Sequence, residues 1–236
     1  MMYILEQLRQ LQIATASSDF PVVDNYTSNF SSSTTSSLTL TKPTGVTTGD
    51  LLILIVGNED ATSSTTFNAI TGFTKRTEYG VGDSGTKFAL YTRVADETEG
   101  ASVSVTVATG NDYIGGWYLR VTNASSAAPI IGTAVGDALG TSTTRDAVAT
   151  TSTVANSLAF ALAAFDGAGA TWGISGTGWG TTIPAGQQLA TGGGGNGWSG
   201  AWVTKEIPTI GLTSNATFTS TTDDGLITVQ FVIAPN

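Results

Sequence analysis

Few residues in this chain have the means to do chemistry. Carboxylates bunch at Asp96-Glu97-Thr98-Glu99 and at Asp223-Asp224. Glycosidases pair such groups for acid–base work, and calcium collects them. Here each group is contiguous, without EF-hand spacing and without a second carboxylate placed at a catalytic separation. Both groups also fall between candidate strands, so they read as solvated turn acids. The chain has no His and no Cys, which removes the Ser/His and Cys/His nucleophile arrangements, thiolate metal sites and the commonest general base. No catalytic residue, metal ligand or cofactor motif is assigned, and the chain reads as a non-enzyme.

Aromatic side chains are the other candidates. Four of the five tryptophans, Trp172, Trp179, Trp198 and Trp202, flank the glycine run Thr191-Gly192-Gly193-Gly194-Gly195-Asn196-Gly197. Exposed indoles stack on sugars or grip a protein, and buried ones fill a core. Trp179 and Trp202 read as core, because they answer Phe73 and the Leu90-Tyr91 pair in an internal correspondence between the two halves. Trp172 and Trp198, with Asn196, are left as candidate ligand contacts. The run lacks the Gly-Lys-Ser/Thr ending of a phosphate loop and reads as a hairpin tip.

Nine Lys and Arg stand against eighteen Asp and Glu, a net charge of −9. Such a surface repels phosphate backbones, so nucleic acid is not an expected partner. Charged residues make up only 11% and hydrophobic ones 40%. With Gly, Ser and Thr abundant, this is an all-β composition with enough apolar material for a sizeable core.

The centre of that core is Gly49-Asp50-Leu51-Leu52-Ile53-Leu54-Ile55-Val56-Gly57. Continuous hydrophobicity over so short a run predicts a strand covered on both faces, and the run is too short to cross a bilayer. Residues 37–42, 72–79, 87–95, 101–108 and 113–122 supply further strands of the first half. In the second half residues 147–150, 157–165, 200–205, 217–222 and 225–234 do the same. Thr177-Gly178-Trp179 answers Thr71-Gly72-Phe73, at a loose period of roughly 105 to 112 residues. Either each half is its own small sandwich, or the halves interleave into one. The apolar Pro129-Ile130-Ile131-Gly132 at the join favours the single sandwich.

Ahead of this body, Ile4, Leu5, Leu8 and Leu11 form an apolar stripe opposite Glu6, Arg9, Gln10 and Gln12, predicting a short amphipathic helix over residues 1–13. Glu6 and Arg9 interrupt any signal-peptide core. Residues 14–37 are rich in Ser and Thr, with Phe20, Tyr26 and Phe30 as spaced anchors. The division expected is an anchoring arm and linker over residues 1–36 and a β-sandwich domain over residues 37–236.

Gly49-Asp50-Leu51-Leu52-Ile53, Gly72-Phe73-Thr74, Leu90-Tyr91-Thr92-Arg93-Val94-Ala95, the alternating 103–107 strand and Trp117-Tyr118-Leu119-Arg120-Val121 together resemble a β-sandwich module of tailed-bacteriophage virion proteins: head decoration, head-fibre and tail-fibre proteins. The resemblance implies a jelly-roll-like antiparallel β-sandwich without catalytic residues. It also implies a capsid decoration or head-fibre role, a virion location reached from the host cytoplasm and a major capsid protein or other virion protein as partner. Symmetric virion sites make a homotrimer the expected oligomer. Ile4, Leu5, Leu8, Leu11, Phe20, Tyr26 and Phe30 are then the expected capsid or oligomer contacts. The competing expectation is a carbohydrate- or receptor-binding module of a tail fibre, using Trp172, Trp198 and Asn196.

Overall fold

The computed structural model describes residues 19–59, 66–80, 85–109, 112–135, 141–167, 171–190 and 197–236. Among them the chain is all-β and antiparallel, with one short 3-10 turn at Ala185–Gln187. The helix expected over residues 1–13 lies outside the described residues.

The first half contributes β1 (Val22–Phe30), β2 (Ser37–Thr41), β3 (Leu51–Glu59), β4 (Thr74–Gly80), β5 (Thr86–Val94), β6 (Ser102–Thr106) and β7 (Ile114–Thr122). Five of these form a main sheet in the order β1-β7-β3-β5-β4, and β2 pairs with β6 as a small outer layer. The second half contributes β8 (Ile130–Val135), β9 (Thr141–Ala147), β10 (Thr151–Ser152), β11 (Ser157–Asp166), β12 (Trp172–Ser175), β13 (Gln188–Ala190), β14 (Trp198–Ile207), β15 (Gly211–Leu212) and β16 (Ala216–Ile233). Its main sheet runs β8, C-terminal part of β16, β11, β14, β13, while the N-terminal part of β16 turns outward to pair with β9 and β12. The long β16 therefore does in one strand what β6 and β7 do in two, so Asp223-Asp224, expected between strands, lie inside one.

Strand alternation sorts the side chains into three cores. In β3, buried from Leu51 to Asn58, Leu51, Ile53 and Ile55 face the second half, while Leu52, Leu54 and Val56 face β2 and β6. In β11, Leu158, Phe160 and Leu162 face the first half, and Ala159, Ala161 and Phe165 face the outer layer of the second. The result is four layers, two sandwiches back to back through their main sheets. Interleaving, which the join had favoured, does not occur: among the described residues no main sheet mixes strands of the two halves. Both runs are apolar on both faces, so each main sheet needs cover on two sides, which an outer layer supplies on one and the other main sheet on the other.

The common core is aromatic. Trp117 of β7 meets Trp198 of β14 edge-on, with ring centroids 5.7 Å apart. Trp202 sits between Tyr26 of β1, edge-on at 5.3 Å, and Phe160, stacked at 5.2 Å, which in turn stacks on Phe231 at 4.9 Å. Gly57 makes room for this: a Cβ there would fall inside the Trp198 indole.

Residues 22–30 are a second correction, since they are not an arm but strand β1, paired along β7. Their polar composition has a use in the sheet. Asn25 Nδ2 donates to Thr44 Oγ1 at 2.8 Å and Asn29 Nδ2 to the Thr39 carbonyl at 2.8 Å. Between them Thr27 Oγ1 donates to the Thr41 carbonyl. Alternate side chains of β1 thus close one side of the first sandwich against β2, where a backbone ladder would otherwise be required.

Three outer strands of the main sheets, or their neighbours' register, carry an extra residue: Asp24 in β1, Arg76 in β4 and Gly132 in β8. Bulges twist an exposed edge away from further pairing. Gly132 adopts φ 63°, and a side chain there would meet the Thr151 carbonyl.

Because the Gly57 site has no spare volume, Gly57→Val is expected to overpack the joint by about 1–3 kcal/mol. That corresponds to a thermal midpoint lowered by roughly 2–12 °C in calorimetry. An unchanged midpoint would mean that Trp198 is not seated on β3.

Candidate functional site

The sequence singled out three groups of residues: the acidic turn, the tryptophans and the N-terminal anchors. The acidic turn follows β5. Asp96 accepts hydrogen bonds from the Thr98 hydroxyl at 2.7 Å, the Thr98 amide at 3.0 Å and Arg93 Nη2 at 2.6 Å. These donors, the Thr98 hydroxyl and amide foremost and then Arg93, hold the Asp96 carboxyl well below the usual carboxylate range. Glu99 turns inward, its Oε1 accepting the Asp96 amide at 2.8 Å and lying 3.3 Å from Arg93 Nε. An exposed carboxylate fixed as an anion by three donors is a poor proton donor at neutral pH. This cluster builds a turn, as its sequence suggests, but the expectation of solvated acids fails at Glu99, whose side chain is 3% exposed because it turns in to meet Arg93 and the Asp96 amide. The side chains of Asp223 and Asp224 lie outside the described set. Among the described residues no group of three or more acidic side chains is placed to hold a metal ion.

The same corner explains the motifs quoted for the resemblance. Gly72 has φ 79°, and a side chain there would run into the Arg93 guanidinium. Asp50, just before the central strand, accepts from the Thr47 amide at 2.8 Å, from its hydroxyl at 3.1 Å and from Arg120 Nε at 2.7 Å. Arg120 Nη1 also reaches the bulged Asp24 at 2.7 Å. One guanidinium therefore ties together β1, β7 and the start of β3.

A related corner recurs in the second half with different chemistry. Gly178 also has φ 79° and lies under Lys205, whose ammonium donates to the Thr177 carbonyl at 2.7 Å and Ser214 Oγ at 2.9 Å, 5.8 Å from the Trp179 ring. Burial lowers the Lys205 pKa. Where the first half pairs Asp50 with Arg120, the second has Ser157 and Val232 at the matching register positions, so that ion pair has no counterpart.

All four clustered tryptophans are buried. The expectation that Trp172 and Trp198 are exposed ligand contacts is corrected: Trp198 lies in the joint between the halves, at 0% exposure, and Trp172 packs edge-on against Phe165 at 6.1 Å and Phe218 at 6.3 Å, at 4% exposure. The reason is alternation: Trp198 and Trp202, four apart in β14, share the face turned to the first half. Asn196, the third candidate contact, is outside the described residues.

Of the anchors, Ile4, Leu5, Leu8 and Leu11 are outside the described residues and Phe20 is half-buried. Tyr26, expected to contact a partner, is instead engaged with Trp202. Phe30 is exposed. Sequence reasoning missed the most prominent exposed apolar group. It is Ile210, 65% exposed, and Leu212, 73% exposed, at the β10–β15 ribbon. The alternation of Ile210 and Leu212 about Gly211 was its available signal.

The concavities are shallow and polar. One of about 260 Å³ is lined by Arg76, Arg93, Asp96, Ser126 and Pro129 at the edge of β4 and β5. Another of about 260 Å³ lies where Pro21, Val22 and Val23 pass Leu158, Thr204 and Glu206. Compared with family models, curated proteins and solved structures, the chain matches none.

The Asp50 side chain is only 10% exposed and the Arg120 side chain 16%. Arg120→Leu therefore leaves a buried carboxylate without its cation and is expected to cost about 3–5 kcal/mol in urea unfolding. Asp24→Asn, at the exposed end of the same network, is expected to cost under about 1 kcal/mol. Equal losses from the two variants would contradict the assignment.

A second prediction concerns alkaline pH. Burial, with Glu99 nearby, pushes the Tyr118 phenol up to about 12. A phenol whose folded pKa exceeds its unfolded value of about 10 contributes stability that is complete below pH 10 and lost as pH rises towards 12. Tyr118→Phe should flatten the fall in stability over that window. A fall as steep as wild type would exclude the role.

Proposed function

We propose that the chain is a non-enzymatic structural protein of a tailed-phage virion, a head decoration or head-fibre protein whose double sandwich faces outward and whose N-terminal residues engage the particle. The observation that carries this reading is the burial of the aromatic cluster. Trp117, Trp198 and Trp202 lock two sandwiches into one body, which suits a stiff adhesive module. The same burial removes Trp172 and Trp198 as a sugar-stacking platform, so the tail-fibre glycan reading loses the side chains it was built on. The acidic turn and the arginine corners have structural partners of their own. The resemblance of the Asp50, Gly72, Arg93 and Arg120 motifs to phage virion sandwiches supplies the biological setting. A virion site with rotational symmetry makes a homotrimer the expected form.

Because β1 is part of the main sheet, the truncation that tests the attachment role ends at Ser18. The full chain is expected to co-sediment with undecorated particles and the chain lacking residues 1–18 to lose most of that binding, while circular dichroism shows the same β signal. Undiminished co-sedimentation of the truncated chain would refute attachment through this segment, and absence of binding by the full chain would refute the virion reading.

A further inference from the structure

The bulge in β4 leaves one cation without a charge partner. β4 and β5 are in register at Thr74↔Thr92 and Lys75↔Tyr91, and again from Thr77↔Leu90, so Arg76 is the residue left over. A bulge re-aims the side chain it carries. Here the Arg76 guanidinium is drawn to Thr92, its Nε donating to Thr92 Oγ1 at 2.6 Å. Thr92 is 1% exposed, so the guanidinium is fixed by its inner edge. Its two terminal nitrogens have no partner among the described residues. Other cations of the first half are matched: Lys75 with Glu78, Arg93 with Asp96 and Glu99, Arg120 with Asp24 and Asp50.

Arg76 lines a cleft of about 260 Å³ between β4–β5 and the connection that joins the halves. Thr74, Thr92 and Val94 form one side, and Ser126 and Pro129, between β7 and β8, form the other. That second wall is pinned to the end of β16. The Ser125 amide donates to the Ala234 carbonyl at 2.9 Å, and the Ala234 amide to the Pro129 carbonyl at 2.9 Å. Boundaries between packed units are a common place for ligand sites. Asp96 also borders the cleft, but Arg93 and Thr98 occupy its carboxylate. The charge left for a ligand is therefore the positive one of Arg76.

We propose that this cleft binds an acidic sugar through its carboxylate. With Nε taken by Thr92, the edge of Arg76 formed by Nη1 and Nη2 is a fork that meets a carboxylate through two parallel hydrogen bonds. The cleft has room for one sugar ring. Thr74 and Ser126 bring hydroxyl groups to it, and Val94 and Pro129 bring apolar surface for a ring face. A guanidinium already held in place loses little freedom when the ligand arrives. The site is independent of the virion role, since it uses neither the N-terminal residues nor the tryptophans.

A chemical-shift titration of the full chain with glucuronate tests this, read at the Arg76 side chain and the amides of Thr74, Thr92 and Ser126. Saturable shifts with a Kd on the order of 1 mM are expected for a ligand of that size. Glucose, which lacks the carboxylate, and acetate, which lacks the ring, should each bind at least about tenfold more weakly, the loss that follows when a charge-assisted hydrogen-bond pair or most of the contact is removed. Arg76→Gln should weaken glucuronate by a similar factor with the melting temperature unchanged. Lys75→Gln makes the same change in net charge beside the Tyr91 ring, on the other face of β4, and should leave the affinity as it was. No saturable shift, glucose or acetate or inorganic phosphate binding as tightly as glucuronate, or equal affinities in wild type and Arg76→Gln would each overturn the proposal.

Discussion

Two sheets, each apolar on both faces, must hide four faces from water, and that requirement shapes the molecule. A single sheet with Leu51 to Val56 along its middle strand needs cover on each side. So does the sheet around Leu158 to Phe165. Placing the two main sheets face to face satisfies one side of each at once, and the small outer layers satisfy the others. The face-to-face contact closes because glycine and indole are matched across it: Gly57 lies under Trp198, and Gly200 leaves space beside Trp198 and Trp117. Shape matching of this kind fixes the relative position of two sheets that apolarity alone would let slide.

The halves share a plan and differ in how they secure its corners. Both place a left-handed glycine beneath a cation from the second strand of the main sheet, Gly72 under Arg93 and Gly178 under Lys205. Only the first half adds the Asp50–Arg120–Asp24 network, which reaches β1. The second half closes the equivalent corner with Ser157 donating to the Val154 carbonyl at 2.7 Å, and lets Lys205 rest on Trp179. Its corner has no counterpart of that ion-pair network, and the same half carries the exposed Ile210 and Leu212.

The central strands were legible because hydrophobicity without alternation has one economical explanation in a short run, and residues 51–56 and 158–165 both obey it. The glycine-aromatic turns were legible for a similar reason, since Gly72 and Gly178 are followed by rings that fill the same place. Strand β1 was not legible. Asn25, Thr27 and Asn29 carry no apolar period, because their role is to hydrogen-bond β2 and the turn after it from the side, at Thr44 Oγ1 and the Thr41 and Thr39 carbonyls, and such a pattern is indistinguishable from a polar linker until β2 is in place. Trp198 misled for the opposite reason. A ring beside a run of glycines looks like a ligand platform, and only the register of β14, with Asp166 opposite Trp198, shows that it points into the joint. Interleaving of the halves could not be separated from back-to-back packing, because both arrangements bury the same residues.

The central claim is that the shared aromatic core makes two sandwiches one cooperative body. Scanning calorimetry on the full chain tests it most directly, by comparing the calorimetric with the van't Hoff enthalpy. The structure predicts one transition with a ratio near one. Two separable transitions, each carrying about half of the heat, would contradict it.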